Sequence, residues 1–147
     1  MEANRLGCSK GVIVVLDTNT LILMAAGVIP PSLLAETLES SHELVAPTAV
    51  KEELERLSAS HPRSLTRRRA RAALNLAERL SVTWVNTTLK EADDAIEELA
   101  RALKAEGCRV VVATSDRSLR RRLRSIGVPT LYYRESEGRL ELDWSPL

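Results

Sequence analysis

Val12-Ile13-Val14-Val15-Leu16-Asp17-Thr18-Asn19-Thr20 decides the fold. Five apolar residues, mostly β-branched, run straight into an acid. Such a run reads as a strand buried on both faces, as in a parallel sheet. Asp17 then stands at the strand's carboxyl end, the edge where open α/β sheets bind ligands. It is equally suited to cap the helix that follows. Thr18, Asn19 and Thr20 can bond to nearby backbone groups and start that helix, with Leu21, Ile22, Leu23 and Met24 as its apolar face.

A second run of the same kind, Arg109-Val110-Val111-Val112-Ala113, ends in Thr114-Ser115-Asp116. Between and beyond these runs, strands and helices alternate. Residues 30–41 read as a helix with Leu33, Leu34, Ala35 and Leu38 as its buried stripe, started by Pro30 and Pro31. A short strand lies around Leu44-Val45. A helix opens at Pro47-Thr48 and runs to about Leu57, and residues 58–63 read as a loop. A basic helix over 64–80 and a strand over 82–85 follow. Residues 89–106 read as a helix with Gly107 just past its end. After a basic helix closing at Gly127 come a core strand over 128–133 and a short antiparallel edge at 140–142. This alternation predicts an α/β fold: a mostly parallel central sheet of about five strands, flanked by helices. The expected organisation is a flexible N-terminus over 1–11, a single domain over 12–143 and a C-terminal tail over 144–147.

Composition narrows the function. Aromatic residues make up only 3% of the chain, which argues against a base-stacking platform for single strands. Net charge is +1, so the molecule as a whole is no polycation. Its arginines nevertheless cluster, as Arg67-Arg68-Arg69-Ala70-Arg71 and Arg120-Arg121-Arg122-Leu123-Arg124. Such clusters suit either a solvated helix face or phosphate, which the planar guanidinium fork matches. Cys8 and Cys108 give neither zinc-ligand spacing nor a disulfide framework. No apolar run approaches the ~20 residues of a membrane span, and no signal peptide is visible, so a cytoplasmic protein without a membrane partner is expected.

Four acids can share one cleft. Asp17 and Asp116 follow central strands, and if those strands are parallel neighbours both lie on one sheet edge. On a helical wheel, Glu53 lies on the border of the stripe Val50, Leu54 and Leu57, whereas Glu52 points nearly opposite. Likewise Asp93 borders the stripe Ala92, Ile96, Leu99, Ala100 and Leu103, whereas Asp94 faces away, where an acid in a first turn suits the helix dipole. Carboxylates this close repel, by roughly 4 kcal/mol at 4 Å and an effective dielectric of 20. Such a cluster persists by raising pKa values or by holding a cation. An all-oxygen donor set favours Mg²⁺ or Mn²⁺ over zinc. Phosphodiester hydrolysis is the chemistry that fits, with arginines on the flanking phosphates.

The acids and their surroundings resemble the PIN-domain nucleases, the PilT N-terminus family. The matching pieces are Val15-Leu16-Asp17-Thr18-Asn19, then Ala46-Pro47-Thr48-Ala49-Val50-Lys51-Glu52-Glu53-Leu54, then Ala92-Asp93-Asp94-Ala95-Ile96. Val112-Ala113-Thr114-Ser115-Asp116-Arg117-Ser118-Leu119-Arg120 follows, and Gly127-Val128-Pro129-Thr130-Leu131-Tyr132-Tyr133-Arg134 looks like the family's last strand. The resemblance implies a three-layer α/β/α fold and a metal-dependent ribonuclease acting on single-stranded RNA. By that resemblance Asp17, Glu53, Asp93 and Asp116 are the metal ligands and catalytic acids. Asn19 and Thr114 are supporting polar residues, as are Ser115, where the family often has Asn, and Asp94. Arg67, Arg68, Arg71, Arg117 and Arg120 are the expected RNA contacts. A compact, stand-alone member is expected, either toxin-type or RNA-processing, as a homodimer and with an antitoxin or a ribosome-assembly partner.

Two other readings remain. A PIN-like domain can be a non-catalytic RNA-binding or assembly module. A haloacid-dehalogenase-like phosphatase also begins with a strand and an Asp, but Asn19 stands where its second Asp belongs, and Lys90 and Lys104 are awkward candidates for its lysine.

Overall fold

The computed structural model describes residues 11–143. The expected flexible terminus over 1–11, apart from Gly11, and the expected tail over 144–147 lie outside the described residues. Six strands form one sheet: β1 (Val12–Leu16), β2 (His42–Pro47), β3 (Thr83–Val85), β4 (Arg109–Ala113), β5 (Thr130–Arg134) and β6 (Arg139–Asp143). Six helices flank it as a three-layer α/β/α fold: α1 (Thr18–Ala25), α2 (Pro31–Leu38), α3 (Thr48–Ser60), α4 (Ser64–Arg79), α5 (Ala92–Ala105) and α6 (Arg117–Ser125).

Sheet order is β3-β2-β1-β4-β5-β6, with every pairing parallel except β5–β6. The expected apolar strands are the central pair. Val12 aligns with Arg109 and Leu16 with Ala113, so Asp17 and Thr114 leave the sheet side by side. From β1 the chain winds outward through β2 to β3, and α5 then carries it back to β4 on the other side of β1. The winding reverses between β1 and β4, which opens a crevice beyond their carboxyl ends. All five residues of β1 are buried, which explains its unbroken apolar run. At its start, Gly11 has a φ of +71°, and a Cβ there would lie 2.4 Å from the Ser41 carbonyl oxygen. Only glycine fits this entry to the sheet.

Several elements depart from expectation. The antiparallel edge strand β6 makes the sheet six-stranded, not about five. In α2 only Leu34 is fully buried, Leu33 and Leu38 are half-buried, and Ala35 is exposed. A two-turn helix buries one narrow side, and Ala35 lies 100° from Leu34. Helix α3 runs on to Ser60, stopped by Pro62, whose ring disfavours helical backbone in His61. Helix α5 begins at Ala92, not Leu89, because Glu98 reaches back over the preceding loop. Its carboxylate accepts from the Thr88 N–H at 2.7 Å and the Leu89 N–H at 2.8 Å. Cys108, buried just before β4, is disulfide-bonded, although its spacing in the sequence suggests no disulfide framework. Among the described residues no helix is long and apolar enough to cross a membrane.

Candidate active site

Asp17 terminates β1 and caps α1. Its Oδ1 accepts from the Thr20 N–H at 2.7 Å, and it is only 8% exposed. The Asp17 N–H and the Thr20 hydroxyl both donate to the Ala113 carbonyl, at 3.3 and 2.9 Å, which binds the end of β1 to the end of β4. Asp116 caps α6 in the same way, accepting from the Leu119 N–H at 2.9 Å. Both acids are therefore placed by the same device, an N-cap directly after a buried strand. Thr114 lies between them. Its buried hydroxyl accepts from the Asp116 N–H at 3.1 Å, and Thr114 also counters the burial that raises the Asp17 pKa.

The other two acids come from helices. Glu53, half-buried on α3, and Asp93, in the first turn of α5, face the same crevice. Together with Thr18, Asn19, Ala92, Ile96 and Ser115, the four acids line a cleft of about 410 Å³. Ser115 also accepts a long hydrogen bond from the Tyr133 N–H at 3.4 Å. Asp94 is not on the cleft. It pairs with Arg122 of α6 at 2.7 Å, and Arg122 also holds Glu97 at 2.8 Å.

The cleft is strained electrostatically. Burial raises the pKa of Asp17, opposed by the hydroxyls of Thr114 and Thr20 and the Thr20 N–H, and Asp93 adds a smaller push upward. Asp93 is raised by desolvation first and then by Asp116. Arg122 pulls it down, and Glu53 and Asp94 push it up. Repulsion among the acids thus crosses the cleft from element to element. The donor set is all-oxygen and rich in negative charge, which fits a hard divalent cation. Among the described residues, no three acidic, histidine or cysteine side chains are drawn to metal-ligand spacing. The acids surround one space without meeting at one point, as uncompensated carboxylates should.

The expected RNA contacts divide into two groups. Arg68, Arg71 and Arg117 are exposed and make no side-chain ion pair or hydrogen bond among the described residues. Arg67 is occupied by backbone, donating to the carbonyls of His61 and Pro62 at 2.6 and 3.2 Å. Arg120 is also occupied: it pairs with Asp143 at 3.3 Å and stacks on Tyr132, 3.7 Å from the ring centroid. Most of the second arginine cluster therefore holds α6 to α5 and β6. Thr18 and Thr20 are expected from sequence only as residues that start α1, not as part of the site. Thr18 lines the cleft with a buried hydroxyl that has no partner among the described residues, and only its place directly after Asp17 could have signalled it. Of the two lysines weighed for a phosphatase, Lys104 is spent at the far edge of the fold on the Ile126 and Gly127 carbonyls, at 2.8 and 3.3 Å.

A family model described as a PIN like domain matches residues 14–136. No curated protein shows significant similarity to the chain. Among solved structures, that of the PIN domain endonuclease Utp24 superposes with a TM-score of 0.69 and 25% sequence identity, covering 90% of this chain and 92% of that one.

Proposed function

The chain belongs to the PIN-like domain family, and from that membership we propose that it is a divalent-cation-dependent endoribonuclease acting on single-stranded RNA. The observation that carries this reading is the single cleft lined by Asp17, Glu53, Asp93 and Asp116, delivered from four separate elements. In this proposal those four acids hold Mg²⁺ or Mn²⁺. A bound divalent ion there supplies Lewis-acid chemistry: it lowers the pKa of water and screens the scissile phosphate. The protein's own part is positioning. Thr20 and Thr114 fix the Asp17 carboxylate, and the Leu119 N–H fixes Asp116. Asn19, Thr18 and Ser115 offer polar side chains to the attacking water and the phosphate oxygens. Arg117, Arg68 and Arg71 serve the flanking backbone phosphates. Toxin-type and RNA-processing roles would differ in target, with the same cleft used in both.

Cleavage of labelled single-stranded RNA with EDTA, Mg²⁺ and Mn²⁺ tests the proposal. The wild type should cut only with metal, and Asp17→Asn/Asp93→Asn should lose at least about 100-fold while still binding RNA. Binding without cleavage under any metal would leave an RNA-binding module, and equal cleavage by the double variant would reject the assigned site.

A further inference from the structure

A second groove opens beside the acid cleft. It encloses about 420 Å³ and is lined by Glu53, Arg56, Leu57, Ser60, His61 and Pro62. Glu53 borders both spaces, so the groove continues from the cleft along the last turns of α3. Arg56 lies one i+3 step from Glu53, on the same face of that helix. It is exposed, and its guanidinium has no partner among the described residues.

The loop wall of the groove is held in place. Arg67 clamps the His61 and Pro62 carbonyls, and the Arg63 N–H donates to His61 Nδ1 at 3.1 Å. With Nδ1 accepting, a neutral imidazole carries its proton on Nε2, which is left to donate. Leu57 and Pro62 supply apolar flanks. The space thus joins a fork for phosphate, a flat ring with one oriented donor, and an apolar lining, at a size typical of small-ligand sites.

We propose that this groove seats the nucleotide adjoining the scissile phosphate of single-stranded RNA, with Arg56 on its phosphate and His61 against its base. The proposal rests on the nuclease reading and adds a substrate position to it. Four carboxylates repel an incoming strand, so a phosphodiester needs a cation next to the cleft to be held there. Arg56 is that cation on α3. Unstacked RNA bases are gripped by aromatic rings, histidine included, and by donors to their edges. Arg67 is a positioning residue in this scheme: it touches no RNA and keeps His61 in place.

Steady-state cleavage of a single-stranded oligoribonucleotide tests the idea. The wild type is compared with Arg56→Ala, Arg56→Lys, His61→Ala, Arg67→Ala and the double variant Arg67→Ala/His61→Ala, all matched by thermal melting. Arg56→Ala and His61→Ala should each raise KM about 3- to 10-fold with kcat within about twofold, and Arg56→Lys should recover part of the loss. For Arg56→Ala, the slope of log affinity against log salt should fall by about 0.7, as for one lost single-strand phosphate contact. Arg67→Ala should raise KM, and combining it with His61→Ala should add little, because both act on one contact. Arg109→Ala, at the far end of β4, should change neither constant. A wild type that cleaves while the Arg56 and His61 variants keep their KM and salt slope overturns the groove proposal alone. Should the wild type neither bind nor cleave RNA, the nuclease reading falls and the groove proposal falls with it.

Discussion

The backbone N–H of Asp116 donates to the hydroxyl of Thr114 at 3.1 Å, and the Thr114 side chain also counters the burial that raises the pKa of Asp17. One buried side chain thereby acts on two acids that lie far apart in sequence. Thr114→Val keeps the shape and removes the link. It removes the partner of the part-buried Asp116 N–H and should cost about 0.5–1.5 kcal/mol of stability by denaturant unfolding. RNA cleavage should fall about 10-fold or more at temperatures where the variant is folded, and Thr114→Ser should restore both.

Asp17→Asn should separate activity from stability. Asparagine caps helices as well as aspartate, so the bond from the Thr20 N–H survives, while the buried charge is gone. The folded-state pKa of Asp17 is raised, so its ionisation opposes folding. Relative to Asp17→Asn, the wild type should be most stable below the ordinary carboxyl pKa of about 3.9 and lose that margin as pH rises through the raised value. Thermal melts at neutral pH should place Asp17→Asn at or above the wild type with cleavage lost. Asp17→Ala, lacking the cap, should fall about 1 kcal/mol below Asp17→Asn.

The β5–β6 hairpin should respond to acid with the opposite sign. The Tyr132 hydroxyl and the Arg134 guanidinium hold the Glu141 carboxyl down at about 2, and Arg124 and Arg120 hold Asp143 below the usual range. Depressed carboxyl pKa values stabilise the fold above their ordinary values of about 4, and that contribution is lost as pH falls through the depressed ones. Amide-exchange protection factors in β5 and β6, corrected for the intrinsic rate, should therefore fall between about pH 4 and 2, ahead of those in β1 and β4. Asp143→Asn should flatten part of this dependence.

Arg120 and Arg68 should behave as different kinds of arginine. Arg120→Ala removes the Tyr132 stack and an ion pair with a mostly buried carboxylate, and should cost about 1–2 kcal/mol of stability. At matched folded fraction its RNA affinity should change little. Arg68→Ala should leave the melting curve unchanged, weaken single-strand binding and lower the salt slope by about 0.7. A stable Arg120→Ala that loses RNA affinity would reverse this assignment.

These contrasts show where the sequence was legible. The buried runs before Asp17 and before Thr114 betray their strands because both faces of a central strand need apolar residues. Helical periodicity likewise sets half-buried Glu53 apart from exposed Glu52, but in α5 it does not order the burial of the paired acids: Asp93 is exposed on the cleft and Asp94 is half-buried against Arg122. Pairing across elements leaves no such trace. That Arg122 meets Asp94 and Glu97, that Arg120 meets Tyr132 and Asp143, and that Glu98 holds back the start of α5 depend on sheet order and helix placement. The order β3-β2-β1-β4-β5-β6 is itself set by contacts distant in sequence. An arginine run therefore looks the same on paper whether it awaits a ligand or is already consumed by the fold.

The placement of β1 between β2 and β4 also bears on the life of the chain at the ribosome. The first acid is synthesised early, yet its neighbour strand and Asp116 come from the last third of the sequence. A nascent chain emerges N-terminus first, at roughly 5–20 residues per second. Until β4 emerges, β1 has one open flank, Thr114 is absent and Asp17 has no opposite wall. Any chain released before Arg109 thus carries Asp17, Glu53 and Asp93 without the strand that brings Asp116 to them. Under the proposed nuclease reading, a truncated chain would lack the fourth acid, and the four-acid cleft is complete only once β4 and Asp116 have joined β1.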